Sequence, residues 1–397
     1  MPGTVEIKPG LYWIGSEDPE LRLFDDLFPT EHGTTYNAYL LKGGDKNVVI
    51  DTVKGKRTDE FMDKLRSLVD IKSIDYIIVN HAESDHSGSL SYLLDQSPDA
   101  TVISTVAARN FLSNLMRKPF KSQIVKEGDT LDIGGRKLRF ILAPFMHWPD
   151  TMFTRLEEEN VLFSCDAFGA HYCNPGRIFD DQVEDFTSAR HFYFDCIFRP
   201  FKDKVLYAVD KIRHDAIDLL CPSHGPVMRK EPWKAIQQFE SWSRPSSSHR
   251  RIYIFYISPH GNTEKMAEAV ANGAACSEIE VKNFHISRLD AGDLRELLEE
   301  ADALVFGIPT INRDIPKPMW DTLAYLSTVK LKNNLAAVFG SYGWSGEACS
   351  MAEERLKGLG FNIPAPAVRT QFTPTSEVLE QCEALGREIA AEVLKKG

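Results

Sequence analysis

Between residues 39 and 164 short apolar runs alternate with polar stretches: Tyr39-Leu40-Leu41, Val48-Val49-Ile50-Asp51, Tyr76-Ile77-Ile78-Val79-Asn80, Thr101-Val102-Ile103-Ser104, Leu138-Arg139-Phe140-Ile141-Leu142 and Val161-Leu162-Phe163-Ser164. Their length and β-branched content predict strands. Helical patterns over Thr58 to Val69 and Ser89 to Leu94 fall between some of them, which predicts a mixed sheet with packed helices. Downstream the order is stricter. Strand 252–257, helix 263–273, strand 278–284, helix 291–300, strand 303–307, helix 317–327, strand 334–339, helix 346–358 and strand 364–368 read as a doubly wound parallel sheet. The stretch Ser243-Arg244-Pro245-Ser246-Ser247-Ser248-His249-Arg250 has linker composition, so domains of 1–249 and 250–397 are expected.

A length of 397 residues suits two hydrophobic cores better than one. The apolar and charged fractions, 43% and 26%, are those of ordinary globular chains. A formal charge of -11 argues against general affinity for nucleic acid or anionic membrane, which reward clustered Lys and Arg. The N-terminus has no basic run followed by an apolar core, and no later stretch approaches the roughly 20 apolar residues that span a bilayer. A cytoplasmic protein without nucleic-acid or membrane partners is expected. The seven cysteines form no C-x-x-C pair, so buried free thiols are expected rather than disulfides or a thiolate metal site.

Candidate chemistry concentrates after the strands. His81-Ala82-Glu83-Ser84-Asp85-His86 places four metal-capable side chains in six residues where an apolar run ends. His147, Asp166 and His224 also stand where apolar runs give way to loops, the place from which a rigid sheet presents ligands. This pattern resembles the metallo-β-lactamase superfamily, whose binuclear sites are built from H-x-H-x-D-H, a later His, an Asp and a last His. Here the second of those histidines is Glu83. The substitution makes a harder, oxygen-richer ligand set suited to iron, and it is the mark of the flavodiiron proteins within that superfamily. The resemblance implies that His81, Glu83 and His147 bind one iron, that Asp85, His86 and His224 bind the other, and that Asp166 bridges. In some members of that family the histidine matching His86 does not reach its iron. His171 occupies a place where related sequences also carry His and is expected beside the metals.

In the second half, Ser258-Pro259-His260-Gly261-Asn262-Thr263 joins a strand to a helix and offers hydroxyls and N–H groups to a phosphate. It resembles the flavodoxin phosphate loop. Two further loops fall where that fold needs them: Pro309-Thr310-Ile311-Asn312 after the third strand, and Gly340 to Gly346 after the fourth, with Ser341, Tyr342, Gly343, Trp344 and Gly346 as candidate FMN contacts. No G-x-G-x-x-G dinucleotide fingerprint follows any predicted strand.

The flavodiiron resemblance covers essentially the whole chain, including Gly33 to Leu40, the tetrapeptide His147-Trp148-Pro149-Asp150 and the loop Tyr342-Gly343-Trp344-Ser345-Gly346. It implies an N-terminal αββα sandwich of the metallo-β-lactamase type fused to a flavodoxin-like domain. It also implies FMN and two iron ions, and reduction of dioxygen to water or nitric oxide to nitrous oxide. No rubredoxin or reductase extension is expected, so the expected donor is a separate protein such as rubredoxin, or a reduced deazaflavin. A domain of about 250 residues has a radius of gyration near 18 Å, so metals and flavin of one subunit could lie far apart. The resemblance implies a head-to-tail homodimer, or a dimer of dimers, with Trp148 beside the partner's flavin. The competing readings are a zinc hydrolase fused to a flavin carrier and a non-catalytic electron carrier or gas sensor.

Overall fold

The computed structural model describes residues 3–245 and 249–395, so the Ser246 to Ser248 part of the expected linker lies outside the described residues. The chain forms two compact units, Met1–Arg244 and Pro245–Gly397. In the first unit, one sheet runs in chain order through β1 (Val5–Lys8), β2 (Leu11–Trp13), β3 (Tyr39–Lys42), β4 (Asn47–Ile50), β5 (Ile74–Ile78), β6 (Thr101–Ser104) and β7 (Ser122–Ile124). The other runs through β8 (Thr130–Asp132), β9 (Lys137–Leu142), β10 (Met152–Leu156), β11 (Val161–Cys165) and β12 (Leu219–Pro222).

The alternation of side chains along each strand builds three apolar layers. Tyr39, Leu41, Val48, Ile50, Ile78 and Ile103 meet Phe140, Met152, Val161 and Phe163 between the sheets. The intervening Leu40, Val49, Ile77 and Val102 face outward onto helices α1 (Thr58–Leu68), α2 (Leu90–Gln96) and α3 (Val106–Met116). Ile141, Phe153, Leu162 and Leu220 pack outward on α4 (Thr187–Ile197), α5 (Lys202–Ile212) and α6 (Pro232–Ser243). Each large side chain so buried contributes about 1.5–3 kcal/mol. This is the expected αββα sandwich.

The second unit is a sheet of β13 (Arg250–Tyr256), β14 (Ile279–His285), β15 (Ala303–Gly307), β16 (Ala336–Tyr342) and β17 (Val368–Gln371), in spatial order β14-β13-β15-β16-β17 and parallel throughout. Helices α7 (Asn262–Ala274) and α11 (Ser376–Lys395) cover one face, while α8 (Ala291–Glu300), α9 (Lys317–Tyr325) and α10 (Ala348–Gly358) cover the other. It is the expected doubly wound sheet, with two corrections. The fourth strand runs to Tyr342 rather than ending at 339, because Phe339 to Tyr342 pair with Val368 to Gln371. The fifth begins at Val368, where 364–368 was expected. Of the seven cysteines four are buried, and among the described residues no helix is long and apolar enough to cross a membrane.

Candidate functional site

The first unit gathers its candidate ligands at loops following strands of both sheets. His81, Glu83, Asp85 and His86 follow β5 of one sheet, the last two in the single helical turn Ser84–Ser87. His147, Asp166 and His224 follow β9, β11 and β12 of the other. The backbone is left-handed at Cys165, just before Asp166, with φ +52°, and at Asp51, just after β4, with φ +54°. The Asp51 carboxylate accepts the N–H of Asn80 at 2.8 Å and its side-chain amide at 2.9 Å, while Thr154 Oγ1 donates to Asn80 Oδ1 at 2.7 Å. This buried chain of bonds fixes the residue that precedes His81.

The side chains fall into two sets that could hold metal ions: His81, Glu83 and His147 with Asp166, and Asp85, His86 and His224. Asp166 spans both. Its Oδ2 lies 3.8 Å from His81 Nε2 and 3.6 Å from His147 Nε2, while its Oδ1 lies 2.9 Å from His86 Nε2 and 3.4 Å from His224 Nε2. Within the first set, Glu83 Oε2 stands 3.1 Å from His81 Nε2 and 3.3 Å from His147 Nε2. Within the second, Asp85 Oδ1 is 3.3 Å from His86 Nε2 and Oδ2 is 3.1 Å from His224 Nε2.

Several of these atoms are buried without a hydrogen-bond partner: Asp85 Oδ1, Asp166 Oδ2 and both ring nitrogens of His86, whose approach to Asp166 lacks hydrogen-bond alignment. Buried polar atoms left this way are costly, and a pair of cations would satisfy them. The electrostatics agree. Burial alone would lower the histidines, yet Asp150, Glu83 and Asp166 hold His81 up at about 10, Asp166 and Asp85 hold His86 up at about 10, and Asp166 and Glu83 hold His147 up at about 9. Against burial, which would raise it, His147 and His81 hold the Glu83 carboxyl down at about 2. Asp85 and Asp166 are likewise held low despite burial, chiefly by His86 and then by neighbouring histidines. The cluster favours positive charge at its centre.

Around the candidate ligands stand His171 and Trp148, which the sequence singled out, and several residues that sequence reasoning left without a role. Asp150 takes the Nδ1–H of His81 at 3.1 and 3.2 Å and the N–H of Ala82 at 2.7 Å. The Thr35 carbonyl takes the Nδ1–H of His224 at 2.6 Å, and Asn37 donates to the carbonyls of Pro222 and Gly225. The Tyr193 hydroxyl lies 3.2 Å from the Asp166 carbonyl and 3.3 Å from its Oδ1. His171 is buried, with Nδ1 2.9 Å from Thr34 Oγ1, its ring 4.2 Å from that of Phe24 and its Nε2 unpartnered. Burial and then nearby His224 push its pKa well down, so it is neutral. Trp148 is partly exposed, 5.0 Å from the His81 ring, and lines a 470 Å³ cavity with Phe111, Leu115, Lys54, Glu83 and Asp85.

In the second unit, Gly261 caps α7 with φ +78° and no side-chain cap, leaving N–H groups of the first turn for an anion. Ser258 Oγ accepts the Glu264 N–H at 3.0 Å, and the buried Thr263 hydroxyl lies 2.8 Å from Ser341 Oγ. His260 is exposed and Asn262 half-buried beside them. The Thr310 N–H donates to the Ser341 carbonyl at 3.1 Å, joining the loops after β15 and β16. Pro309 is buried, Ile311 and Asn312 are exposed, and Asn312 has φ +54°. Tyr342 and Gly343 are half-buried, Trp344 is exposed, and a Cβ on Gly346 would stand 3.0 Å from the Tyr342 ring. The three expected loops thus share one end of the sheet.

Residues 34–225 match the family described as ODP family beta lactamase, and residues 254–386 match flavodoxin. A flavo-diiron protein of Clostridium acetobutylicum is 39% identical, with 98% of this chain and 100% of the relative covered. A nitric oxide reductase of Moorella thermoacetica is 38% identical, covering 99% of this chain and 100% of its own. Among solved structures, the rubredoxin oxygen:oxidoreductase of Desulfovibrio gigas matches with a TM-score of 0.71 at 29% identity, covering 99% of both chains.

Proposed function

The chain belongs to the flavodiiron family of type A flavoproteins, and on that premise we propose that FMN in its C-terminal domain (250–397) passes electrons from an external donor to two iron ions in its N-terminal domain (1–249), where dioxygen is reduced to water or nitric oxide to nitrous oxide. The observation that carries this reading is the division of Asp166, one carboxylate oxygen toward each of two histidine–carboxylate sets. His81, Glu83 and His147 would hold one ion and Asp85, His86 and His224 the other, with Asp166 between them. Ser258, His260, Gly261, Asn262 and Thr263 would hold the FMN phosphate, and the loops at 309–312 and 341–346 the ring. Bound FMN supplies electrons singly or in pairs, and an iron pair gives a diatomic gas a place to accept them.

The protein's own residues shape that chemistry. Asp150 and the Thr35 carbonyl aim the rings of His81 and His224. Tyr193 O–H donates to Asp166 and keeps a proton at the edge of the site. Neutral His171 offers its unpartnered Nε2 as a further polar contact. Phe111, Leu115 and Trp148 give the cavity beside Glu83 and Asp85 an apolar wall that suits a small gas. The donor is a separate rubredoxin-like protein or a reduced deazaflavin, and the working form is a cytoplasmic head-to-tail homodimer, single or paired. Metal and flavin analysis of the purified protein, followed by gas consumption with a chemically reduced donor, tests the reading. Two irons and one FMN per chain with turnover of dioxygen or nitric oxide are expected; zinc in place of iron, or no turnover by the iron-loaded protein, would overturn it.

A further inference from the structure

Among its described residues the C-terminal unit exposes three large apolar side chains, Ile311 (44%), Trp344 (72%) and Phe372 (62%), and they follow β15, β16 and β17 at one end of the sheet. The first two belong to loops already assigned to the flavin ring. Phe372 belongs to none of them, yet its backbone is held in the left-handed region at φ +57°, an uncommon conformation for a bulky residue.

What holds it is the neighbouring flavin loop. The Phe372 N–H donates to the Tyr342 carbonyl at 2.8 Å, and Gln371 Nε2 donates to the Gly343 carbonyl at 2.8 Å. The Phe372 ring lies 3.5 Å from where a Cβ on Gly343 would stand. Two successive carbonyls of the Tyr342-Gly343-Trp344 loop are therefore committed to the end of β17. A loop whose carbonyls are turned away has chiefly N–H groups left to offer, and these suit the carbonyl oxygens of a flavin, all the more as the ring gains negative charge on reduction.

We propose that Gln371 and Phe372 form a further wall of the flavin site, in which Gln371 holds the Gly343 carbonyl away from the ring and Phe372 lies against Gly343 to fix the loop. The proposal rests on the FMN reading above, and Gln371 acts in it as a positioning residue.

The test uses the full-length protein freed of flavin, titrated with FMN and followed by quenching of flavin fluorescence. Gln371→Leu keeps the bulk and removes the donor, and Gln371→Glu does the same with opposite polarity. Each should weaken FMN about fivefold to tenfold, the worth of one hydrogen bond, and should lower the midpoint potential of the bound flavin. Gln371→Lys, which retains a donor, and Phe372→Tyr should stay near wild type, whereas Phe372→Ala should weaken binding. The melting temperature of the flavin-free protein should not move in any variant. Wild-type affinity and potential in both Gln371→Leu and Gln371→Glu, or a loss of affinity matched by a loss of flavin-free stability, would overturn the proposal. A wild-type protein that binds no FMN would overturn the flavin reading itself, and this proposal with it.

Discussion

A histidine that binds a metal through one ring nitrogen is aimed by whatever holds the other. For His81 that group is Asp150, which is fully buried and also takes the N–H of Ala82. Asp150→Asn leaves one oxygen for two donors, so the variant should bind metal about 10–100-fold more weakly while its FMN content stays normal; competition with a coloured chelator measures it. The seven candidate ligands were legible because each follows an apolar run, and the structure brings all seven together. The groups that support them were not. Thr35 meets His224 across 189 positions and Asp150 meets His81 across 69, so no spacing marks either pair. Asp150 could have been found, because it closes the tetrapeptide His147-Trp148-Pro149-Asp150 and a ligand histidine calls for a carboxylate behind it.

Helices α7 and α11 pack side by side through two glycines. A Cβ on Gly386 would stand 2.1 Å from the Val270 carbonyl, and one on Gly273 would stand 2.0 Å from that of Glu383. Both obstacles are backbone, so the helices must separate to admit a methyl group. Gly386→Ala should therefore cost about 1–3 kcal/mol, seen as flavin release at lower urea, with iron content unchanged in the absence of urea. At this scale the sequence patterns served best in the second unit, whose strand and helix order follows from apolar periodicity; in the first they mark six strands and two helices and leave β1, β2, β7, β8, β10, β12 and α3 to α6 unread. The misplaced end of β16 has a physical cause. Gly340, Ser341 and Tyr342 read as loop by composition, but pairing with Arg369, Thr370 and Gln371 keeps them extended. A partner strand decides such an end, and local composition does not report it.

Electron flow between chains makes a prediction at the level of the whole molecule. His147→Asn, which would lack one of the proposed iron ligands, and Asn262→Asp, which would set a charge against the proposed phosphate position, should each be nearly inactive alone. If the flavin of one subunit serves the metals of another, mixing them under conditions that exchange subunits should restore part of the activity. No recovery, with heterodimers confirmed by mass, would rule out the head-to-tail arrangement. The placement of the ligands has a mechanical side as well. Each set draws on both sheets of the sandwich: His81 and Glu83 from one with His147 from the other, and Asp85 and His86 from one with His224 from the other. The ions would then act as a clasp on one edge of the sandwich, and the binding energy of the metals would be spent partly on keeping the two sheets from parting there. Stripping the metals with a chelator should speed amide hydrogen exchange around residues 79–87, 145–148, 165–171 and 223–226 while leaving α5 and α6, which rest on the outer face of one sheet alone, exchanging as before.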